Sequence, residues 1–350
     1  MPRALILGGT GAIGRATARR LLAAGWEVDV TGRNPARLPA ELAAAGARFV
    51  AADRADDGRL RAAIGEGADL LVDCICFTAV DATRLVPLAR EAASTVLISS
   101  KAVYVDAAGN HSNSDTAPRF DGPIRETQPT MPPGEGDYDT REGYGANKVA
   151  AEQVLLDSGL PVTIVRPSKI HGAGAARPRE WVFVKRVLDR RPAVFLAHRG
   201  SGVDHTTAAA NIAALIETLA ARPGARILNS ADPDAPSALE ISRTIARLLE
   251  HEWEEVLLGD DGSELGRTPW DARHPIVLDV TASLELGYEP TGDYETTVAD
   301  EVEWLVAAAR AGECLPGRDD PFFGPLLDYE AEDRHSAIGS TEPLPDEPSV

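Results

Sequence analysis

The chain is poor in cysteine, in lysine and in aromatic residues, and each shortage excludes something. Three cysteines (Cys74, Cys76, Cys314) in 350 residues build no disulfide framework, and no histidine group supplies a zinc spacing around them, so no metal is expected. Cys74 and Cys76 alternate within an apolar, strand-like run, LLVDCICF, where packing is expected rather than redox chemistry. No apolar run approaches the roughly 18 residues of a membrane span. The N-terminus goes straight into a strand-like run, so no signal peptide is expected and a cytoplasmic location is. The formal charge of −19 lacks the basic excess that a nucleic-acid partner requires. Lysine occurs four times (Lys101, Lys148, Lys169, Lys185) against 31 arginines, so a lysine is an exception wherever it stands.

What is present begins at Ala4. The run to Leu7 reads as a buried parallel strand, Gly8 to Gly14 as a glycine loop, Arg15 to Ala24 as a helix stopped by Gly25, and Glu27 to Thr31 as a second strand. Gly8 permits a tight turn, Gly11 lets backbone approach a pyrophosphate, and Gly14 lets the helix pack on the strand, with the helix N-terminus facing the phosphate charge. Strand, loop, helix and strand in that order are the context a dinucleotide site needs. The end of the second strand selects the cofactor: an acid there would bind the ribose hydroxyls of NAD, but the chain reads Thr31-Gly32-Arg33-Asn34, with Arg37 one turn on. Arginine suits a 2′-phosphate, so NADP is favoured over NAD; the plain alternative is that Arg33 is a solvated surface charge.

Further strands are expected at ARFVAADRAD, at Asp69 to Cys76 and at STVLISS, with helices at about Ala36 to Ala45 and Ala82 to Ala93. The alternation predicts an α/β fold, a doubly wound parallel sheet of Rossmann type, with ligands beyond the carboxyl ends of the strands at Gly8, Arg33, Asp53, Cys76 and Ser100. Asp53 is a candidate for the adenine amino group, or ordinary turn chemistry. The long polar stretch from Val105 to Gly143 reads as a substrate lid or an insertion. In GYGANKVAAEQVLL, Tyr144 and Lys148 are four apart and share a helix face, where an ammonium favours the phenolate and makes the tyrosine a usable general acid or base. A strand from Val162 to Ile170 follows.

Three regions are expected: 1–167 as the cofactor domain, 168–317 as a smaller substrate-binding portion, and 318–350 as an acidic tail. The second boundary is soft, because the strand near Ile227 to Ser230 could return to the main sheet. Helices are expected there at Trp181 to Arg190, Ala208 to Ala221, Ser237 to Glu250 and Thr296 to Ala309. From Arg318 on, nine acids stand against two arginines, a local balance of −7. Disorder is expected from about His335, after a docking segment at Pro321 to Tyr329.

GGTGAIG, ISSKAVY (Ile98 to Tyr104), YGANK (Tyr144 to Lys148), VRPSKIHGAG (Val165 to Gly174) and the late ELGYEP together resemble the extended short-chain dehydrogenase/reductases, the NAD-dependent epimerase/dehydratase group, over about residues 3 to 310. The resemblance implies a catalytic trio of Ser100, Tyr144 and Lys148. Tyr144 would exchange a proton with the substrate oxygen, Ser100 would hold that oxygen, and Lys148 would bind the ribose and keep Tyr144 acidic. It also lays Gly8, Thr10, Gly11, Ala12, Ile13, Gly14, Arg54, Cys74, Ile75 and Cys76 along the cofactor, and Pro167 and Ser168 near its nicotinamide. A homodimer through the Tyr144 helix is implied by the same analogy.

Two departures bear on the substrate. Where the sugar-nucleotide dehydratases carry an Asp-Glu pair, Lys101 and Ala102 stand here, which counts against water elimination by that route. Where the epimerases place an arginine on a diphosphate, this chain has Asp204, a repelling charge for which Arg199 or Arg273 could compensate. Lys101, His171 and Arg273 are substrate candidates; His198 and His205 are too, each as readily a surface or structural histidine. The expected function is an NADP-dependent ketone/alcohol oxidoreductase acting on a small polar metabolite. The alternatives are an epimerase with tightly bound NAD and a non-catalytic cofactor-sensing or RNA-binding relative.

Overall fold

Apolar residues with a period of two build the centre of the molecule. In the computed structural model, which describes residues 1–259 and 264–339, Ala4, Ile6, Val28, Val30, Leu70, Val72, Val96 and Ile98 face one side of a sheet. Leu5, Leu7, Leu71, Leu97 and Ile164 face the other. Both faces are dry, so the strands need helices on each. The chain supplies them in the order β1 (Arg3–Leu7), α1 (Ala12–Ala23), β2 (Glu27–Gly32), α2 (Ala40–Ala44), β3 (Arg48–Ala51), α3 (Asp57–Ile64), β4 (Ala68–Asp73), α4 (Ala79–Ala89), β5 (Ala92–Ile98), α5 (Arg141–Leu156) and β6 (Val162–Pro167). There follow β7 (Lys169–His171), α6 (Trp181–Leu188), β8 (Ala193–Leu196), β9 (Thr206–Ala208), α7 (Ala209–Ala220), β10 (Arg226–Ser230), α8 (Ala238–Leu248), β11 (Glu254–Leu257), α9 (Thr281–Glu285), α10 (Tyr294–Arg310) and α11 (Tyr329–Gly339).

The main sheet is seven-stranded and parallel, in the order β10-β6-β5-β4-β1-β2-β3, so the strand order reverses between β1 and β4. Ligand clefts in such sheets open at that reversal. β10 closes one edge, pairing Ile227 with Ile164, and α7 packs against α1. Chain beyond residue 168 therefore contributes a strand and a helix to the first layer system before the rest forms a second body. That body has its own core, in which Phe183 stacks on Trp270 and Val298, Leu305 and Phe323 are buried.

Several boundaries differ from those expected. The helix expected over 36–45 is a 3-10 turn at Pro35–Arg37 followed by α2, because Pro39 cannot donate an N–H inside a helix. β4 stops at Asp73, so Cys74 and Cys76 lie in the loop beyond it rather than inside a strand. The continuous strand expected over 162–170 is two: Ser168 N–H still bonds Ser230 O of β10 (3.1 Å), but Lys169 N–H turns to His205 O (3.0 Å), and β7 pairs with β9 instead.

The 104–140 stretch carries no regular element, yet it is pinned at its middle. Buried Ile124 exchanges backbone hydrogen bonds with Val277 and Asp279, and Asn229 ties Ile124 O to the Tyr104 hydroxyl. The Pro321–Tyr329 segment is docked, with Phe323 and Leu327 buried. Against the disorder expected from His335, α11 runs to Gly339, anchored by the buried Arg186–Glu332 pair (2.6 Å); the remainder of the expected tail lies outside the described residues. Among the described residues no helix is long and apolar enough to cross a membrane.

Candidate active site

β1 ends at Leu7, and the glycine loop turns the chain into α1. Gly8 has φ +79°, and a Cβ there would meet Ile75 Cγ2 at 2.6 Å. A Cβ on Gly14 would fall 2.4 Å from Gly9 Cα, so α1 can lie this close to the loop only without one. Gly11 is the N-cap and offers no side chain, leaving first-turn N–H groups around Ala12, Ile13 and Gly14 with the orientation that binds an anion. Sequence reasoning missed the brace of this loop: Arg15 Nε donates to Thr10 O (2.7 Å), and its Nη2 reaches Arg37 O (3.4 Å). Burial lowers the Arg15 guanidinium pKa.

At the end of β2, Arg33 and Arg37 are exposed, and neither guanidinium has a partner among the described residues. The nearest acid on the strand, Asp29, is held by Arg3 (2.8 Å) and Arg48 (2.7 Å). Asp53 is exposed and accepts Ala55 N–H (2.8 Å), which is turn chemistry. Arg54 is engaged by two carboxylates, Asp73 (2.5 Å) and Asp81 (3.0 Å), and braces the loop that follows β4. In that loop Asp73 accepts Ile75 N–H, and burial pushes both the Cys74 and Cys76 thiols up, so neither is a thiolate near neutral pH.

The carboxyl ends of β4 and β5 meet at Lys148. Its ammonium donates to Cys76 O (2.8 Å) and Ile98 O (3.0 Å) and lies 4.4 Å from the centre of the Phe77 ring. Two of its three hydrogens are thus fixed by backbone, and one remains. Tyr144, one turn earlier on α5, has its ring 6.5 Å from Phe77 and 6.0 Å from the Lys148 ammonium. Phe77 also stacks on Tyr138 (5.2 Å), an aromatic support that no local pattern marked. The two serines separate by environment. Buried Ser99 donates to Glu152, whose carboxylate also pairs with buried Arg166. Ser100 caps the following 3-10 turn by accepting Ala102 N–H (3.1 Å), which leaves its own hydrogen available to donate.

A polar cavity of about 750 Å³ is lined by the 112–118 stretch, Arg141, Lys169, Asp204, Asp271 and Arg273; Ser100, Tyr144 and Lys148 are not in its lining, and Lys101 touches it through Asp204. Its inner wall carries an unexpected arrangement. Asp204 lies between two ammonium groups, in direct contact with buried Lys101 and 3.0 Å from Lys169. Asp204 is therefore not the isolated charge expected: it faces two lysine amines, although burial lowers the Lys101 pKa well below the ordinary lysine range and that of Lys169 to about 7. His198 lines the same cavity from a backbone with φ +51°, followed by Arg199 at +55°, two consecutive left-handed residues of a kind that persists only where surroundings impose it. His205 is structural: Nε2 faces Asp232 O and Asp234 O, and Nδ1 accepts Leu278 N–H (3.1 Å). His171 is buried against Asp232 (2.9 Å), away from the cavity lining. Ser168 is buried, its N–H shared between Ser230 O and Thr207 Oγ1, and Pro167 ends β6 beside it.

Several solved structures share this fold. UDP-glucose-4-epimerase from Stenotrophomonas maltophila, with bound NAD and formylated UDP-arabinopyranose, superposes with a TM-score of 0.70 at 19% identity, covering 89% of this chain and 100% of that one. dTDP-glucose 4,6-dehydratase from Bacillus anthracis in complex with NAD gives 0.67 at 16% identity, covering 89% and 98%. UDP-glucose 4-epimerase from Thermus thermophilus in complex with NAD gives 0.64 at 19%, covering 87% and 99%. A search of curated protein sequences found no match. The model of the NAD dependent epimerase/dehydratase family matches residues 4–203, more than half of the sequence and all of the glycine loop, Ser100, Tyr144 and Lys148, and the chain belongs to that family.

Proposed function

We propose that the protein is a nicotinamide-dependent oxidoreductase that moves hydride to or from a ketone/alcohol carbon of a small polar metabolite. The observation that carries this reading is the placement of Tyr144 and Lys148 on one face of α5, with the Lys148 ammonium clamped between Cys76 O and Ile98 O at the carboxyl edge beside the glycine loop. The residues fit the cofactor: the open face at Gly11 admits a pyrophosphate, and the remaining Lys148 hydrogen is free for a ribose hydroxyl. When bound, the cofactor supplies or accepts the hydride.

The chain's own groups handle the proton and the oxygen. In the reducing direction the Tyr144 hydroxyl donates its proton to the substrate oxygen, and the nearby ammonium stabilises the phenolate left behind. Ser100, with its hydrogen uncommitted, donates to the same oxygen. Arg33 and Arg37, unpartnered where NAD-selective sites carry an acid, support NADP. A homodimer through the α4–α5 face, where Val80 is 60% exposed, belongs to the same reading and is checked by sedimentation.

An epimerase with retained NAD is the second reading, favoured by one observation: two lysine amines flank Asp204, where an anionic sugar nucleotide needs positive charge. One experiment separates the two. Small molecules released on denaturation are identified by mass spectrometry, and the emptied protein is titrated with NADPH and NADH. An empty protein preferring NADPH supports the reductase; co-purified NAD supports the epimerase. Tyr144→Phe should abolish turnover and leave cofactor affinity nearly unchanged, and full activity in that variant overturns the mechanism.

A further inference from the structure

Behind the cofactor edge lies a second polar cluster that the proposed reaction does not use. β7 ends at His171, Glu180 stands at the N-terminus of α6, and Glu301 projects from α10. The three are buried, at 1%, 1% and 0% exposure, and one donor atom from each lies within 4.8 Å of the others. Asp232 accepts Ala208 N–H and Asn211 Nδ2–H, so it is an acceptor, and His171 Nε2 at 2.9 Å must donate to it. That leaves His171 Nδ1 as the second ring nitrogen, a lone pair while the imidazole is neutral. Among the described residues it has no hydrogen-bond partner, and neither has Glu180 Oε2 nor Glu301 Oε1. The second oxygens are satisfied, Glu301 by Gly172 N–H and Glu180 by the Tyr294 hydroxyl (3.4 Å).

Three such atoms that converge out of water cost several kcal/mol unless a cation or shared protons sit between them. Three buried carboxyl groups, Asp232, Glu180 and Glu301, face one guanidinium, Arg179, which interacts with both glutamates, so the cluster favours further positive charge. We propose that His171, Glu180 and Glu301 bind one divalent metal ion, with Asp232 orienting the histidine from outside the coordination sphere. One imidazole nitrogen and two carboxylates suit zinc or manganese, and a histidine held by a carboxylate is the usual arrangement behind a metal-bound imidazole. The ion would join β7, α6 and α10, and so hold Arg179, which lies within electrostatic range of Tyr144. The competing occupant is protons: burial and Glu180 push the Glu301 carboxyl well above the ordinary range, and against the effect of burial Asp232 and Glu180 raise the His171 imidazole.

The test is metal content of the full-length protein, which is independent of any activity. Chelator-treated protein is equilibrated by dialysis with zinc or with manganese and analysed by plasma mass spectrometry. One ion per chain is expected, with affinity at least tenfold weaker in Glu301→Gln and about 10- to 100-fold weaker in Asp232→Asn. No uptake by folded wild-type protein, or equal uptake by Glu301→Gln, overturns the site in favour of shared protons. If either variant fails to fold, the cobalt spectrum of the wild type decides: nitrogen and oxygen ligation supports the site, and a thiolate charge-transfer band, which exposed Cys314 would give, overturns it.

Discussion

Replacing Asp204 with asparagine isolates the charge arrangement on the cavity wall. The substitution keeps shape and removes the carboxylate that two ammonium groups share. The two lysines respond differently. Lys169 lines the cavity and is 22% exposed, whereas Lys101 is 7% exposed; burial lowers the Lys169 pKa to about 7 and that of Lys101 well below the ordinary lysine range, so the charge on Lys101 depends on Asp204. Stranding one partner of a buried pair costs about 3–5 kcal/mol. Lys101 can avoid that by losing its proton, at about 1.4 kcal/mol for each pH unit below an ordinary pKa near 10.4, so the loss is bounded at about 4.6 kcal/mol at pH 7 and about 1.9 kcal/mol at pH 9. Asp204→Asn should therefore lose about 3–5 kcal/mol at pH 7 and no more than about 2 at pH 9, while Lys101→Met/Asp204→Leu, which removes both buried charges, should lose much less. Urea unfolding of all three proteins at both pH values, with unchanged denaturant slope, reads the differences directly. A loss below about 1 kcal/mol at pH 7, or one that does not shrink at pH 9, refutes a charged, buried Lys101 held by Asp204.

The remaining predictions concern the cofactor edge and the sheet. Arg33→Glu should weaken NADPH binding about 10- to 100-fold, the equivalent of one lost charge-assisted contact, and leave NADH binding within a few-fold; fluorescence titration of both nucleotides checks it. Gly14→Ala places its methyl 2.4 Å from Gly9 Cα, so backbone must shift at about 1–3 kcal/mol; calorimetry should show a lower unfolding temperature together with weakened binding of either nucleotide. Asp29 is held below the ordinary carboxylate range by Arg48 and Arg3, against the opposing effect of burial. Its contribution is then present above its unfolded pKa of about 3.9 and lost as pH falls through the depressed folded value, so Asp29→Asn should cost about 1.5–3 kcal/mol at pH 7 with the gap to wild type closing under acid; a gap that persists at low pH refutes the assignment.

What could be read from residues in order was local. The glycine loop, α1 and β2 follow from spacing alone, because three glycines and a period of two are enforced within one unit of chain. Tyr144 and Lys148 were legible for the same reason, being one helical turn apart. The break after Ser168 was not, since VTIVRPSKI reads as one strand and only the pairing of Lys169 N–H with His205 O, 36 residues later, takes the chain out of the main sheet. The reach of β4 was overestimated in the same way: Cys74 and Cys76 look like strand residues, but Asp73 turns back to accept Ile75 N–H and is fixed there by Arg54. Asp204 shows the electrostatic version. Taken with its sequence neighbours it is an isolated carboxylate, and only the fold brings Lys101 and Lys169 to either side of it.

The scarcity of lysine acquires a physical meaning in that light. In a chain where arginine is the default cation, three of four lysines stand at the carboxyl edge of one sheet: Lys101, Lys148 and Lys169. Arginine presents a planar fork of five hydrogens and holds its charge at any working pH. Lys148 needs neither property. Its nitrogen must fit between two backbone carbonyls, 2.8 and 3.0 Å away, and still aim one hydrogen outward, which a tetrahedral ammonium does and a flat guanidinium does not. Lys101 and Lys169 likewise reach one carboxylate with a compact amine each, Lys101 at Oδ1 and Lys169 at Oδ2. Arginines surround the site at Arg33, Arg37, Arg141, Arg179 and Arg273, where reach is useful, and lysines occupy the positions where volume is limiting. The choice between the two cations thus separates the groups that build the reacting edge from those that receive charged ligands around it.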